Sequence, residues 1–444
     1  MSAVTNEHKF HSSALRRSLL MVGVAAVMVV VALLIRSFYP QTPPLAAPPA
    51  PVGLAAPEIM AKLEQRLRAN PNDTYAYAQL GLGFLQQVRE TGDVSLYGRA
   101  GQAFTEALAR DPQQLDALVG RGILALALHD FQGALTWADQ AWALNPFRAE
   151  TLGVMVDAQV ELGRYAEAVQ TLQQMVDLRP DLESYSRVSY LRELHGDVAG
   201  ADEAMRAAVQ TALPGSESWL WTLTHLGHLA FNQGDLAQAA TIYAQVLAAK
   251  ADYPYALGGQ ARVAAAQGNT AEAIALYQQI TERLPLPEFI IALGELYEAT
   301  GQLDAARQQY ELVGVIQQLN AAAGMNVDLE MALFTASHRN DPTAAVQQAR
   351  AAYAERPTIY GADAIAWALY QNGEYEDAWQ FSQEALRLGT KDALLHFHAG
   401  MIAAKLGDEE TAHIHLQKAL AINLYFSPLY GPVAQQELAE LAKP

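Results

Sequence analysis

The 444-residue chain contains no cysteine, so disulfides, thiolate metal sites, cysteine nucleophiles and lipoprotein processing are all excluded. It also lacks the short phrases that carry most enzyme chemistry. There is no His-Glu-x-x-His, no phosphate loop ending in Gly-Lys-Ser/Thr, no Gly-x-Ser-x-Gly and no calcium loop. Gly81-Leu82-Gly83 and Gly120-Arg121-Gly122 are too short to cradle a phosphate and suit close helix packing instead. Basic residues are few, 29 Lys and Arg against 47 Asp and Glu, and they are unevenly placed. Residues 1–57 carry Lys9, Arg16, Arg17 and Arg36 against Glu7, a formal +3, so residues 58–444 hold −21 within a total of −18. A body of that sign repels phosphate backbones, and nucleic acid is not an expected partner. The same acids also keep a long apolar-cored array in solution.

Long apolar runs are equally scarce, with one exception. Residues 19–35 form 17 positions without a charge, which as a helix rise about 25 Å, at the short end of what spans a hydrocarbon core. Lys9, Arg16 and Arg17 precede it and only Arg36 follows closely, which places the N-terminal 1–18 in the cytosol and everything beyond residue 40 outside. A cleaved signal peptide needs small residues after the core, and Arg36-Ser37-Phe38-Tyr39-Pro40 supplies none. The expectation is an uncleaved anchor at 19–39 in the lipid bilayer. Residues 40–57 hold seven prolines in eighteen positions and read as an extended spacer.

What is abundant is repetition. Gly followed five residues later by Ala begins at Gly163, Gly196, Gly234, Gly268, Gly301, Gly373 and Gly407, at intervals of 33, 38, 34, 33, 72 and 34 residues. Asn340 with Ala345 splits the long interval, Asn being the usual stand-in for Gly in a left-handed turn. Pro112, Pro146 and Pro180 repeat at 34. In Tyr77-x2-Leu80-Gly81-x2-Phe84 the apolar residues share one helical face, and Ala100, Phe104 and Ala107 continue the pattern on a second helix. Such periods describe stacked helix pairs whose apolar faces become dry only against neighbours. Longer connections are expected around Val88–Gly98, Leu213–Ser218 and Gly314–Val327, and His129-Asp130 replaces the turn glycine in one unit.

These residues resemble the tetratricopeptide repeat, with further matches at Leu226-Gly227, Ala239 and Tyr243, and at Leu293-Gly294-x2-Tyr297, Ala306 and Tyr310. Ser184–Met205 and Arg387–Gly407 also look like segments of membrane-anchored bacterial repeat proteins of undescribed activity. The resemblance implies an all-α, right-handed α-solenoid of about ten helix pairs over 58–426, with a capping helix in 427–444, no enclosed pocket and no cofactor. It implies a non-enzymatic scaffold that binds a protein or peptide in its concave groove. Counting inward positions from each turn gives Tyr190, Trp221, His228, Phe231, Tyr255, Arg262, Glu295, Tyr360, Trp367 and Tyr370 as groove residues. Aromatics there suit a peptide, and a glycan or other polymer is the alternative. The Lys, Arg and Asn clamp of chaperone-tail binders is missing, with Arg262 nearly alone. His225 with His228, and His396, His398, His413 and His415, lack the i, i+4 spacing of a metal pair and read as packing histidines.

Overall fold

The computed structural model describes residues 56–326, 328–338 and 341–443. The expected anchor, most of the linker, and Asn340 lie outside the described residues. Among the described residues no helix is long and apolar enough to cross a membrane. They form 22 helices and no strand: ten antiparallel pairs, preceded by Ala56–Ala69 and followed by Tyr430–Leu441. The first helix begins two residues inside the expected linker, with Pro57 in a first turn where its missing N–H has no helical acceptor to serve.

The turn phrase explains each pair. All seven glycines have positive φ, from 68° at Gly163 to 82° at Gly268 and Gly373, a conformation that a side chain makes costly. In the first of these turns Gly163 N–H donates to Val160 O at 2.9 Å and Arg164 N–H reaches back to Gln159 O at 2.8 Å. Those bonds satisfy carbonyls that the helix end leaves open. The alanine five residues on lies on the second helix and is at most 2% exposed in every one of the seven units, so nothing larger fits between the helices. At the glycine-less unit the backbone keeps the same shape: His129 sits at φ 61°, the one non-glycine with positive φ among the described residues. Its ring stacks on Phe131 at 5.6 Å.

Neighbouring pairs meet through the Leu-Gly phrase. The Tyr243 ring lies between Gly227 and Gly259, and a Cβ added at Gly227 would come within 2.5 Å of it. The aromatic of a second helix thus fills space that two first helices leave bare. The expected long connection at Gly314–Val327 is not one: Leu303–Ala322 runs on as a 20-residue helix, since 314–322 contains no proline and Val313 is buried. Thr74–Thr91 is likewise prolonged to 18 residues before Gly92 ends it at φ 70°.

A second set of contacts departs from the expected nearest-neighbour array. Turns of earlier units touch the connections of units nearly two hundred residues later. Ile359 N–H donates to the Tyr165 hydroxyl at 3.0 Å, Asn423 Nδ2 donates to Phe231 O at 2.9 Å, and Asn326 N–H donates to Leu128 O at 3.0 Å. Arg356 donates to Glu161 at 2.6 Å and to Glu330 at 3.1 Å, with its guanidinium 4.8 Å from the Phe131 ring centre. Sequence separations of 195, 194 and 192 residues recur in this seam, so one superhelical turn takes roughly six units and the next lies directly on it. Turn glycines serve twice here: a Cβ at Gly163 would strike Pro357 O, and one at Gly196 would strike Gly389 O.

Candidate functional site

Closure of the seam converts the concave groove into a cavity of about 1360 Å³. Its walls come mainly from first helices, Leu182–Leu194, Glu217–Asn232, Pro254–Ala266 and Pro287–Ala299, whose side chains at helical spacing face inward. Residues 424–428, with Pro432 and Gln435 beyond them, add a further wall. A smaller space of about 340 Å³ beside it shares Asp157, Arg187 and Tyr190. The expectation of no enclosed pocket is corrected in part: the cavity is walled on several sides yet open to solvent, because the seam brings units far apart in sequence beside one another.

Eight of the ten anticipated groove residues line the cavity. Tyr190, Trp221 and Tyr360 line it and are 39%, 40% and 36% exposed. Tyr255 and Glu295 are half-buried, and Phe231 is buried with Arg262 stacked on it, guanidinium carbon to ring centre 4.1 Å. His228 is fixed by the Tyr243 hydroxyl at 2.7 Å from Nδ1, and burial holds it well below its usual pKa. The adjacent His225 is pushed down to about 4 by burial, and its ring lies 3.8 Å from that of Trp221. Both imidazoles are therefore neutral at physiological pH, and Arg262 is the charged group beside them.

Trp367 and Tyr370 are corrected. Trp367 is 3% exposed, stacked between Tyr370 at 4.7 Å and His398 at 4.1 Å, with Tyr430 against its edge at 5.7 Å. Neither residue lines the cavity. The terminal helix Tyr430–Leu441 covers the face they would have offered. Beneath them His398 Nδ1 meets the Asp363 carboxylate at 2.9 and 3.0 Å, both side chains buried. His396 and His415 face each other at 3.0 Å between Nδ1 atoms, and burial pushes His396 down to about 3. Among the described residues no group of three ligating side chains could hold a metal ion.

The acidic lining was missed by sequence reasoning. Glu193 and Glu288 both face the cavity. The signal was present: Glu193 follows Tyr190 by three and Glu288 precedes Glu295 by seven, both same-face spacings. Burial pushes the Glu193 carboxyl up to about 7; its hydrogen bond from Asn232 pulls the other way, and Asp392 adds to the rise. Burial raises Glu288 as well, opposed by Arg262. Arg262 in turn donates to Asn232 Oδ1 at 3.1 Å, so a short chain of donors runs from the arginine to Glu193. Asp157 is held by Arg187 at 2.6 Å and Glu295 lies 3.3 Å from His338 Nε2.

Models of the tetratricopeptide repeat match residues 85–149 and 225–286, and a second such model matches 125–193. Tetratricopeptide repeat protein 13 of Homo sapiens is 26% identical over 163 residues, 36% of this chain and 18% of that protein. Cellulose synthase 1 operon protein C of Komagataeibacter xylinus is 28% identical over 207 residues, 47% of this chain and 13% of that protein. The chain thus spans under a fifth of the length of either relative. The solved human IFIT1 dimer with PPP-AAAA is 16% identical, covers 74% of this chain and 77% of its own, and superposes at a TM-score of 0.48. The repeated turn, the glycine-clamped aromatics and the matched models agree that this chain carries tetratricopeptide repeats, matched over residues 85–193 and 225–286.

Proposed function

We propose that this protein is a non-enzymatic adaptor that takes a segment of a partner polypeptide into its interior. The observation that carries this reading is the cavity itself. At about 1360 Å³ it exceeds the roughly 300–1,000 Å³ of small-ligand sites, and it offers ring faces beside hydrogen-bonding groups along several successive units. An extended chain needs that combination: apolar anchors for side chains and polar groups for its backbone. The charge of −21 on residues 58–444 weighs against nucleic acid. Residues 19–39 supply the bilayer anchor in this reading, with the cytosol on the N-terminal side and the array outside; reporter fusions before residue 19 and after residue 443 should give opposite topologies.

The test is a photo-crosslinker placed in the full chain within cells. At Tyr190 or Tyr255 it should yield one discrete polypeptide adduct, and at Phe147, 78% exposed on the outside, it should not. Adducts that resist protease but yield to glycosidase would replace a protein partner with a glycan. That second reading is favoured by the same exposed aromatic faces, which also stack on sugars, and by the name of the cellulose synthase operon relative.

A further inference from the structure

The cavity wall formed by Tyr190, Glu193 and Tyr360 has an unbalanced charge. Asp157 is ion-paired within the cavity, Glu295 has His338 beside it, and Arg262 bears on Glu288. Glu193 has the neutral Asn232 amide as its donor and another acid, Asp392, as its neighbour. Asp392 turns one oxygen to the N–H groups of Leu394 and Leu395, at 2.8 and 3.3 Å, and so caps its own helix. Arg192, next in sequence, points away to Asp197 at 3.5 Å. Tyr190 and Tyr360 are each more than a third exposed, and both feel the charge of Glu193. Two part-exposed tyrosine rings beside a carboxyl group with no cation paired to it among the described residues form the lining that ammonium and guanidinium groups seek, by ring quadrupole and by charge together.

We propose that this wall receives a lysine or arginine side chain projecting from an extended segment of the partner polypeptide, an inference that rests on the polypeptide reading above. The aromatic faces of Trp221 and Tyr255 further along the cavity take the apolar residues of the same segment. An acidic segment is rejected by Glu193, Glu288 and Asp392 together.

The experiment titrates the full chain with fluorescent peptides of about ten residues in which lysine, acetyl-lysine or glutamate alternates with serine. The lysine peptide should bind at least about tenfold tighter than the other two. Glu193→Gln and Tyr360→Leu should each lower that affinity by about tenfold, Tyr360→Phe should retain it, and circular dichroism should report the same helix content in all. Glu409→Gln with Glu410→Gln, exposed on an outer helix, should leave binding unchanged. Equal binding of lysine and acetyl-lysine peptides, or equal loss from the outer-helix pair, overturns the inference. A Tyr190 crosslink to a segment free of lysine and arginine also overturns it, yet leaves the polypeptide reading standing. Absence of any polypeptide crosslink removes both.

Discussion

The middle units and the last two units present the same kind of inward face to different company. In the middle, Tyr190, Trp221 and Tyr255 border open space. At the end, Trp367 and His398 sit in equivalent first helices but are sealed by Tyr430, and Tyr370 is stacked on Trp367. There Phe397 stacks on Tyr430 at 5.1 Å and Ala434 is fully buried. The chain's own C-terminus fills one stretch and leaves the next unfilled.

The sharpest way to break this contrast is Trp367→Ala, which should cost about 3–5 kcal/mol in chemical denaturation because it empties a packed, dry site. A cost below 1 kcal/mol would mean the terminal helix does not close that face. Asp363→Ala leaves His398 Nδ1 buried without its partner and should cost about 1–3 kcal/mol, read the same way. Arg356→Ala removes the bridge between Glu161 and Glu330 across the seam. A loss of about 1–2 kcal/mol is expected, with a non-additive double-mutant cycle against Glu161→Ala, both measured by denaturation.

The fourth prediction concerns pH and the open stretch alone. Glu193 titrates near 7 in the folded protein against an ordinary value of 4.5, so the folded state binds the extra proton between those limits. Its contribution is fully present below about pH 4.5 and is lost as pH rises through about 7. Tyr190, Asn232, Tyr360 and Asp392 face it from the surrounding elements. His225 works oppositely: its contribution is present above 6.5 and is lost as pH falls through about 4. The difference between wild type and Glu193→Gln, followed as melting temperature against pH, isolates the first; a flat difference from pH 4.5 to 7 contradicts it. The smallest effect belongs to Trp221→Ala, less than about 1 kcal/mol in stability, since its ring is already 40% exposed.

How much of this was legible depended on the distance over which each cause acts. The turn at Gly163 is a local matter of φ and two carbonyls, so its spacing declared it, and the buried alanines follow from the same few residues. His129 was readable only as an anomaly, because an imidazole at φ 61° is held by its stack on Phe131. Inward residues such as Tyr190 and Tyr255 followed from helical phase. Trp367 and Tyr370 have the same phase and were misplaced, because the helix that covers them lies beyond the point where the period stops. The seam left no trace in any window, since Tyr165 and Ile359 acquire their relationship only after six units have wound around.

That winding has a consequence for how the protein can vary. In an open stack of repeats, losing or gaining one unit merely shortens or lengthens the rod. Here each turn of the thread is keyed to the one above it, with Gly163 under Pro357, Gly196 under Gly389 and Phe231 beneath Asn423. Excising a unit such as 235–268 would slide every key off its mate at once and take one wall from the cavity beside them. The number of rungs is thereby part of the architecture, as immutable as the left-handed turns between them.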